Sequence, residues 1–170
     1  ADGASVAFTY GRSSAEAEKL VAEVTADGGK VVSLQADSAD AEQVAKSVDD
    51  AVAQLGGLDV LVNNAGVAVL RDVESLRLDE FDRQLAINLR GIVLVSQAAI
   101  PHLRKTKGWI VNLASIAGTQ PVPILPIYAA TKAAVISLTH SLNADLDDDG
   151  VRAIAICPGF VDTPMTDWAR

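Results

Sequence analysis

The chain has 170 residues, 49% hydrophobic and 21% charged, which suits one domain large enough to bury a core. Its net charge of -8 argues against nucleic acid or an anionic membrane surface as partner. A single cysteine, Cys157, excludes an internal disulfide, and no apolar run approaches the roughly 18 residues that span a bilayer. The N-terminus, Ala-Asp-Gly-Ala-Ser-Val, carries neither the basic region nor the apolar stretch of a signal segment, so a soluble, cytoplasmic protein is expected.

Residues 4–10 read as a strand, with Val6 and Phe8 alternating against smaller residues. Gly11-Arg12-Ser13-Ser14 supplies a turn and cap, and Ala17, Leu20, Val21 and Val24 then recur at helical spacing until Asp27-Gly28-Gly29. Val31, Val32 and Leu34 form a second strand that stops at Ala36-Asp37, and a second helix places Val44, Val48, Val52 and Leu55 on one face. The run 58–62 is a third strand leading into Asn63-Asn64-Ala65-Gly66, whose small residues and glycine suit close approach of a ligand. A long helical pattern follows over 79–105, apolar on more than one face, with Pro101 inside it. Residues 109–114 read as a fourth strand, about 127–147 as a helix, and 151–157 as a fifth strand, where Cys157 is expected to be a buried structural thiol. The loop from Pro158 to Pro164 and a short tail finish the chain.

Strands and helices alternate throughout, and the strands are continuously apolar. That is the pattern of an α/β fold with a doubly wound, mostly parallel sheet covered by helices on both faces. The polar loops at Gly11-Arg12, Asp37, Asn63 to Gly66, Ser115 and Pro158 to Thr163 each follow a strand, so a parallel sheet brings them to one edge.

The stretch from Ser115 to Lys132 carries the most specific chemistry. Tyr128 and Lys132 are four apart on a helix and share a face, which sets an ammonium beside a phenol. Such a neighbour favours the phenolate, and that suits a phenol to proton transfer near neutral pH. Ser115 presents a hydroxyl at a strand's carboxyl end. Asn88, in Ala-Ile-Asn-Leu-Arg-Gly, is an amide in an apolar neighbourhood and fits either a buried backbone clamp or a site residue. His102 and His140 have no partner at ligand spacing, so no metal is expected. The acidic run 145–149 reads as a solvated helix end.

Taken together, Asn63-Asn64-Ala65-Gly66, Asn88-x-x-Gly91, Ser115 thirteen residues before Tyr128-x-x-x-Lys132, and Pro158-Gly159-Phe160-Val161-x-Thr163 resemble the short-chain dehydrogenase/reductase family, over essentially the whole chain. The likeness is to its 3-oxoacyl-acyl-carrier-protein reductases in particular. The resemblance implies a Rossmann-like fold and an NAD(P)-dependent oxidoreductase that interconverts a carbonyl and an alcohol of a small molecule. It implies that Tyr128 exchanges the proton of the substrate oxygen, that Ser115 hydrogen-bonds that oxygen, and that Lys132 acts on the tyrosine. Tyr128 and Lys132 would also hold the nicotinamide ribose, and Asn88 would bind a water linking Lys132 to solvent. Asp37 would meet the adenine. Asn63, Ala65 and Gly66 would line the adenosine ribose, and Pro158, Gly159, the Val161 backbone and Thr163 would face the carboxamide.

Tyr10-Gly11-Arg12-Ser13 has no acid to hold a ribose diol, so NADP is expected, with Arg12 and Ser13 on the 2′-phosphate; the alternative is NAD, with Arg12 a solvated turn residue. Val122, Ile124 and Leu125 suggest a fairly apolar substrate pocket. A homo-oligomer, tetramer or dimer, is expected through the two long helices. Family members also carry a strand and a glycine-rich turn before the first strand seen here, and further elements after the last. The chain is therefore expected to be one Rossmann-like domain truncated at both ends, with an incomplete sheet. The alternative to an active enzyme is a non-catalytic binding or regulatory module of the same fold.

Overall fold

The computed structural model describes residues 3–163. The first two residues and the predicted tail from Pro164 lie outside the described residues. In chain order the strands are β1 (Ser5–Tyr10), β2 (Lys30–Gln35), β3 (Val60–Asn63), β4 (Trp109–Leu113) and β5 (Arg152–Ile156). The helices are α1 (Ser14–Ala26), α2 (Ala41–Leu55), α3 (Leu78–Leu85), α4 (Gly91–Thr106) and α5 (Pro126–Asp145). Every ladder is parallel, as continuously apolar strands joined by helical crossovers require.

The sheet is split. β1 pairs with β2, and separately β3, β4 and β5 form a three-stranded sheet in that order. The order β2-β1 followed by β3-β4-β5 is that of a doubly wound sheet, 3-2-1-4-5-6, with its first strand left out. Val6, Val60 and Val62 on β1 and β3 are about half exposed, at 48%, 49% and 55%. No ladder joins the two parts among the described residues. α2 bridges them: it touches β1 and β2 and packs along α4, and Asp40 caps its start by accepting from the backbone N–H of Glu42 and Gln43, both 3.0 Å.

The core lies between α2, α4, β4, β5 and the end of α5. Ala99, Leu103, Ile110, Leu146 and Val151 are fully enclosed there, with Val48 beside them. Burying a side chain such as Leu103 contributes about 2 kcal/mol, so this cluster anchors the three-stranded part. A second cluster, Ile92, Ala114 and Val135, sits nearer the carboxyl edge, and Cys157 packs against it half-buried rather than enclosed. α1 is less well covered than its pattern predicts: only Ala17 is buried, and Leu20 stays exposed.

Two further expectations need correction. The pattern over 79–105 is not one α-helix, because a π-helical segment, Ala86–Arg90, separates α3 from α4. Pro101 lies inside α4, which runs to Thr106. The acidic run is also not simply solvated: Asp149 pairs with Arg104 Nε at 2.7 Å and Asp147 with Arg152, which offsets acid charge near the carboxyl end of α5.

Candidate active site

Pro126 occupies the first turn of α5, where its missing N–H costs nothing, and the helix then presents Tyr128 and Lys132 from one face. The Lys132 ammonium sits over the Tyr128 ring, 5.6 Å from its centroid. Lys132 is only 4% exposed, and its ammonium donates to the Leu113 carbonyl at 2.6 Å, the last residue of β4. Burial holds the lysine below its ordinary pKa.

Ser115 follows β4 in an extended conformation and caps a short 3-10 turn, Ile116–Gly118. Its Oγ accepts from the Ala117 N–H at 3.1 Å, which leaves the hydroxyl hydrogen to donate elsewhere. Gly118 lets this turn lie flat on α5. A β-carbon there would stand 2.7–2.9 Å from the backbone of Lys132 and Ala133. The serine and the Tyr128–Lys132 pair are thus joined by direct backbone packing.

Asn88 lies on the π-helical segment and is completely buried. Its Oδ1 accepts from the Val67 N–H and its Nδ2 donates to the Val67 carbonyl, each at 2.8 Å, and Nδ2 also donates to Thr131 Oγ1 at 3.1 Å. Both amide hydrogens are used, so a water linking Lys132 to solvent would meet only the side-chain oxygen. Gly66 lies directly against this group: a β-carbon there would be 3.6 Å from both Asn88 Oδ1 and Lys132 Nζ. The loop after β3 therefore lines the same space as the lysine.

Asn63 needs a correction. Its side chain turns inward, donating to Asn112 Oδ1 at 2.8 Å and to Ser96 Oγ at 3.2 Å, so its amide group does not face the sheet edge. The cause is register: Asn63 stands opposite Asn112 on β4, and Asn112 in turn donates to Thr139 on α5. Ala65 and Gly66 remain beyond the strand, at the edge.

Asp37 is exposed at the end of β2, where its Oδ1 accepts from the Ala39 N–H at 2.9 Å. The π-helical segment reaches this loop as well: Arg90 donates to the Ala39 carbonyl at 2.9 Å, and Gly91 lies against the Ser38 carbonyl. Arg12 is exposed and makes no ion pair or hydrogen bond among the described residues, while Ser13 stands before α1 without capping it through its side chain. Pro158 adjoins Ser115, its carbonyl accepting from the Ile116 N–H at 3.0 Å, and Gly159 approaches Ile116. Val161 and Thr163 lie exposed further along this loop. Of the apolar trio, Leu125 turns into the core, while Ile124 is exposed with φ 62 and its carbonyl accepts from Arg71.

The predicted residues thus fall into two groups. Asn88, Gly66, Ser115, Tyr128, Lys132 and Pro158 converge; Arg12, Ser13 and Asp37 lie along the edge on the other part of the sheet. Sequence reasoning missed Val67, Thr131, Gly118 and the Leu113 carbonyl, because their roles rest on contacts between segments far apart in the chain.

This arrangement can be set beside known proteins. The family model described as short chain dehydrogenase matches residues 1–170. The chain is 39% identical over 167 residues to the 3-oxoacyl-acyl-carrier-protein reductase FabG of Staphylococcus aureus, covering 98% of this chain and 68% of that protein. It is 38% identical over 143 residues to the meso-2,3-butanediol dehydrogenase of Serratia marcescens, covering 84% of this chain and 57% of the relative. Among solved structures, a short chain dehydrogenase from Burkholderia cenocepacia in complex with NADP superposes with a TM-score of 0.92 at 40% identity, covering 98% of this chain and 69% of that one. With the phenol, the ammonium and the serine gathered at one sheet edge and the whole chain matched, this protein belongs to the short chain dehydrogenase family.

Proposed function

We propose that the chain is the catalytic part of an NADP-linked oxidoreductase that interconverts a carbonyl and an alcohol, with Tyr128 as the proton donor and acceptor. The observation that carries this reading is the buried Lys132 ammonium over the Tyr128 ring. Keeping a lysine out of water costs stability, and a non-catalytic module of this fold would have no use for it.

The residues fit a dinucleotide. Gly66 leaves the space beside Asn88 and Lys132 open to a ribose, and Arg12 with Ser13 offers an exposed cation and a hydroxyl for a 2′-phosphate. Asp37, Ala65, Gly159, the Val161 backbone and Thr163 complete the lining along the edge. When bound, the nicotinamide supplies or takes the hydride. The protein's share is the proton and the charge. In reduction the Tyr128 hydroxyl donates its proton to the substrate oxygen, and the Ser115 hydroxyl hydrogen stabilises the negative charge developing there. Lys132 stabilises the phenolate that remains, and in oxidation the same groups run in reverse.

The test uses the full chain with NADPH and a 3-oxoacyl thioester, and with NADP and meso-2,3-butanediol. Tyr128→Phe is expected to abolish turnover of whichever pair is accepted; unchanged turnover would sink the assignment. Arg12→Asp is expected to reverse a preference for NADPH over NADH in a binding titration.

The reading extends to assembly. α4 and α5 leave an apolar groove of about 380 Å³, lined by Val93, Ile100, Pro101, Leu138 and Leu142, that suits a second copy of the chain. Light scattering at micromolar concentration should return a dimer or tetramer, and a monomer would refute this part. A cytoplasmic setting agrees with the unpaired cysteine. The gap between β1 and β3 supports a longer chain that supplies one more strand there.

A further inference from the structure

One buried hydroxyl stands between the groups already described and has no part in the proton transfer itself. Thr131 is 1% exposed. Its Oγ1 donates to the Tyr128 carbonyl at 2.7 Å and accepts from Asn88 Nδ2 at 3.1 Å. A hydroxyl has one hydrogen, so donating to Tyr128 fixes which lone pair faces Asn88. On the far side Asn88 grips both backbone groups of Val67. An unbroken line of hydrogen bonds thus runs from the loop after β3, through the π-helical segment, to the backbone of Tyr128. The next residue, Lys132, is tied the other way, to Leu113 at the end of β4.

A threonine hydroxyl that bonds back to a carbonyl three residues earlier in its own helix is common and by itself says little. The second bond makes the difference. Without Oγ1 as acceptor, one hydrogen of a completely buried amide would have no partner, and among the described residues no buried side-chain nitrogen or oxygen is left in that state. The hydroxyl therefore couples two elements that no ladder connects.

We propose that Thr131 is a positioning residue, whose hydroxyl holds the first turn of α5 against the Asn88–Val67 clamp and so keeps the Tyr128 phenol in register with Lys132 and Ser115. This rests on the assignment of Tyr128 as the proton-transfer residue. Releasing the tie lets the phenol move relative to both neighbours, and small displacements of a reacting group lower the rate far more than they weaken binding. Cofactor binding should be little affected, because Asn88 keeps both bonds to Val67.

The experiment compares Thr131→Val, Thr131→Ala and Thr131→Ser in the full chain, using whichever of the two probe pairs above is turned over. Valine preserves the shape without the hydroxyl, alanine removes it with room for a water, and serine restores it. The valine and alanine variants are expected to lose about tenfold in kcat. The Kd for NADP should stay within about twofold, the small change expected where no binding contact is removed. Serine should restore kcat.

Parental kcat in either folded hydroxyl-free variant would overturn the proposal, and so would failure of both to fold, since the hydroxyl would then serve stability alone. These outcomes are separate from failure of the underlying assignment. If Tyr128→Phe keeps its turnover, the assignment falls; if Tyr128→Phe is dead while Thr131→Val is unaltered, only the present proposal falls.

Discussion

At the scale of single residues, the chemistry concentrates on a lysine that the protein keeps at a cost. A lysine whose folded pKa lies below its unfolded value of about 10.4 binds fewer protons in the folded chain than in the unfolded one between those two values. Stability should therefore rise with pH across that window, as burial stops opposing a positive charge at Lys132. Lys132→Met is expected to flatten this rise and abolish turnover, as checked by denaturant unfolding at several pH values. The absolute stability of the variant is a poorer guide, because relief of desolvation is opposed by the loss of a partner for the Leu113 carbonyl. An unchanged pH slope would mean that the ammonium is better solvated than its burial implies. Tyr128, Lys132 and Ser115 were legible in the sequence because their spacing is local and each residue type has a narrow chemical use. Asn63 was misread for the opposite reason: its place in the motif says nothing about which way a strand turns its side chain, and pairing with Asn112 decides that.

At the scale of elements, periodicity located every strand and helix to within a few residues, apart from the break between α3 and α4. A π-helical insertion adds a residue to a turn and rotates the helix face by about 100° without disturbing the apolar composition that periodicity detects. Its effect is to aim Asn88 at Val67 and Thr131 while Arg90 and Gly91 meet the loop after β2. The fit of the Ser115 turn on α5 was equally hidden, since a glycine reads as a flexible turn residue until its neighbour across the fold is known. Gly118→Ala sets a methyl group under 3 Å from rigid helix backbone, so the turn must lift. A loss of about 2 kcal/mol in stability, typical of overpacking, is expected together with a fall in kcat as Ser115 leaves its place. Thermal unfolding and steady-state rates on one preparation would check both. Parental values for each would show that α5 yields instead.

At the scale of the whole molecule, the alternation of apolar strands and helices was enough for the doubly wound architecture. What it could not show is that the sheet is split, and how its two parts stay together. The amides of β3 that do not face β4 are expected to exchange with solvent far faster than those of Ile110 and Val111, which lie on the central strand of their sheet. Hydrogen exchange followed by NMR would show this; equal protection would mean that the gap is closed by other contacts. The π-helical turn gains a wider meaning here. It touches the loop after β2 through Arg90 and Gly91 and the loop after β3 through Asn88, so it is shared by two bodies that otherwise meet mainly through α2. Without a dinucleotide, the β1–α1–β2 portion should melt as its own cooperative unit ahead of the rest. A molecule lying across both loops would staple the halves and merge the two transitions into one, making the cofactor part of what defines the domain.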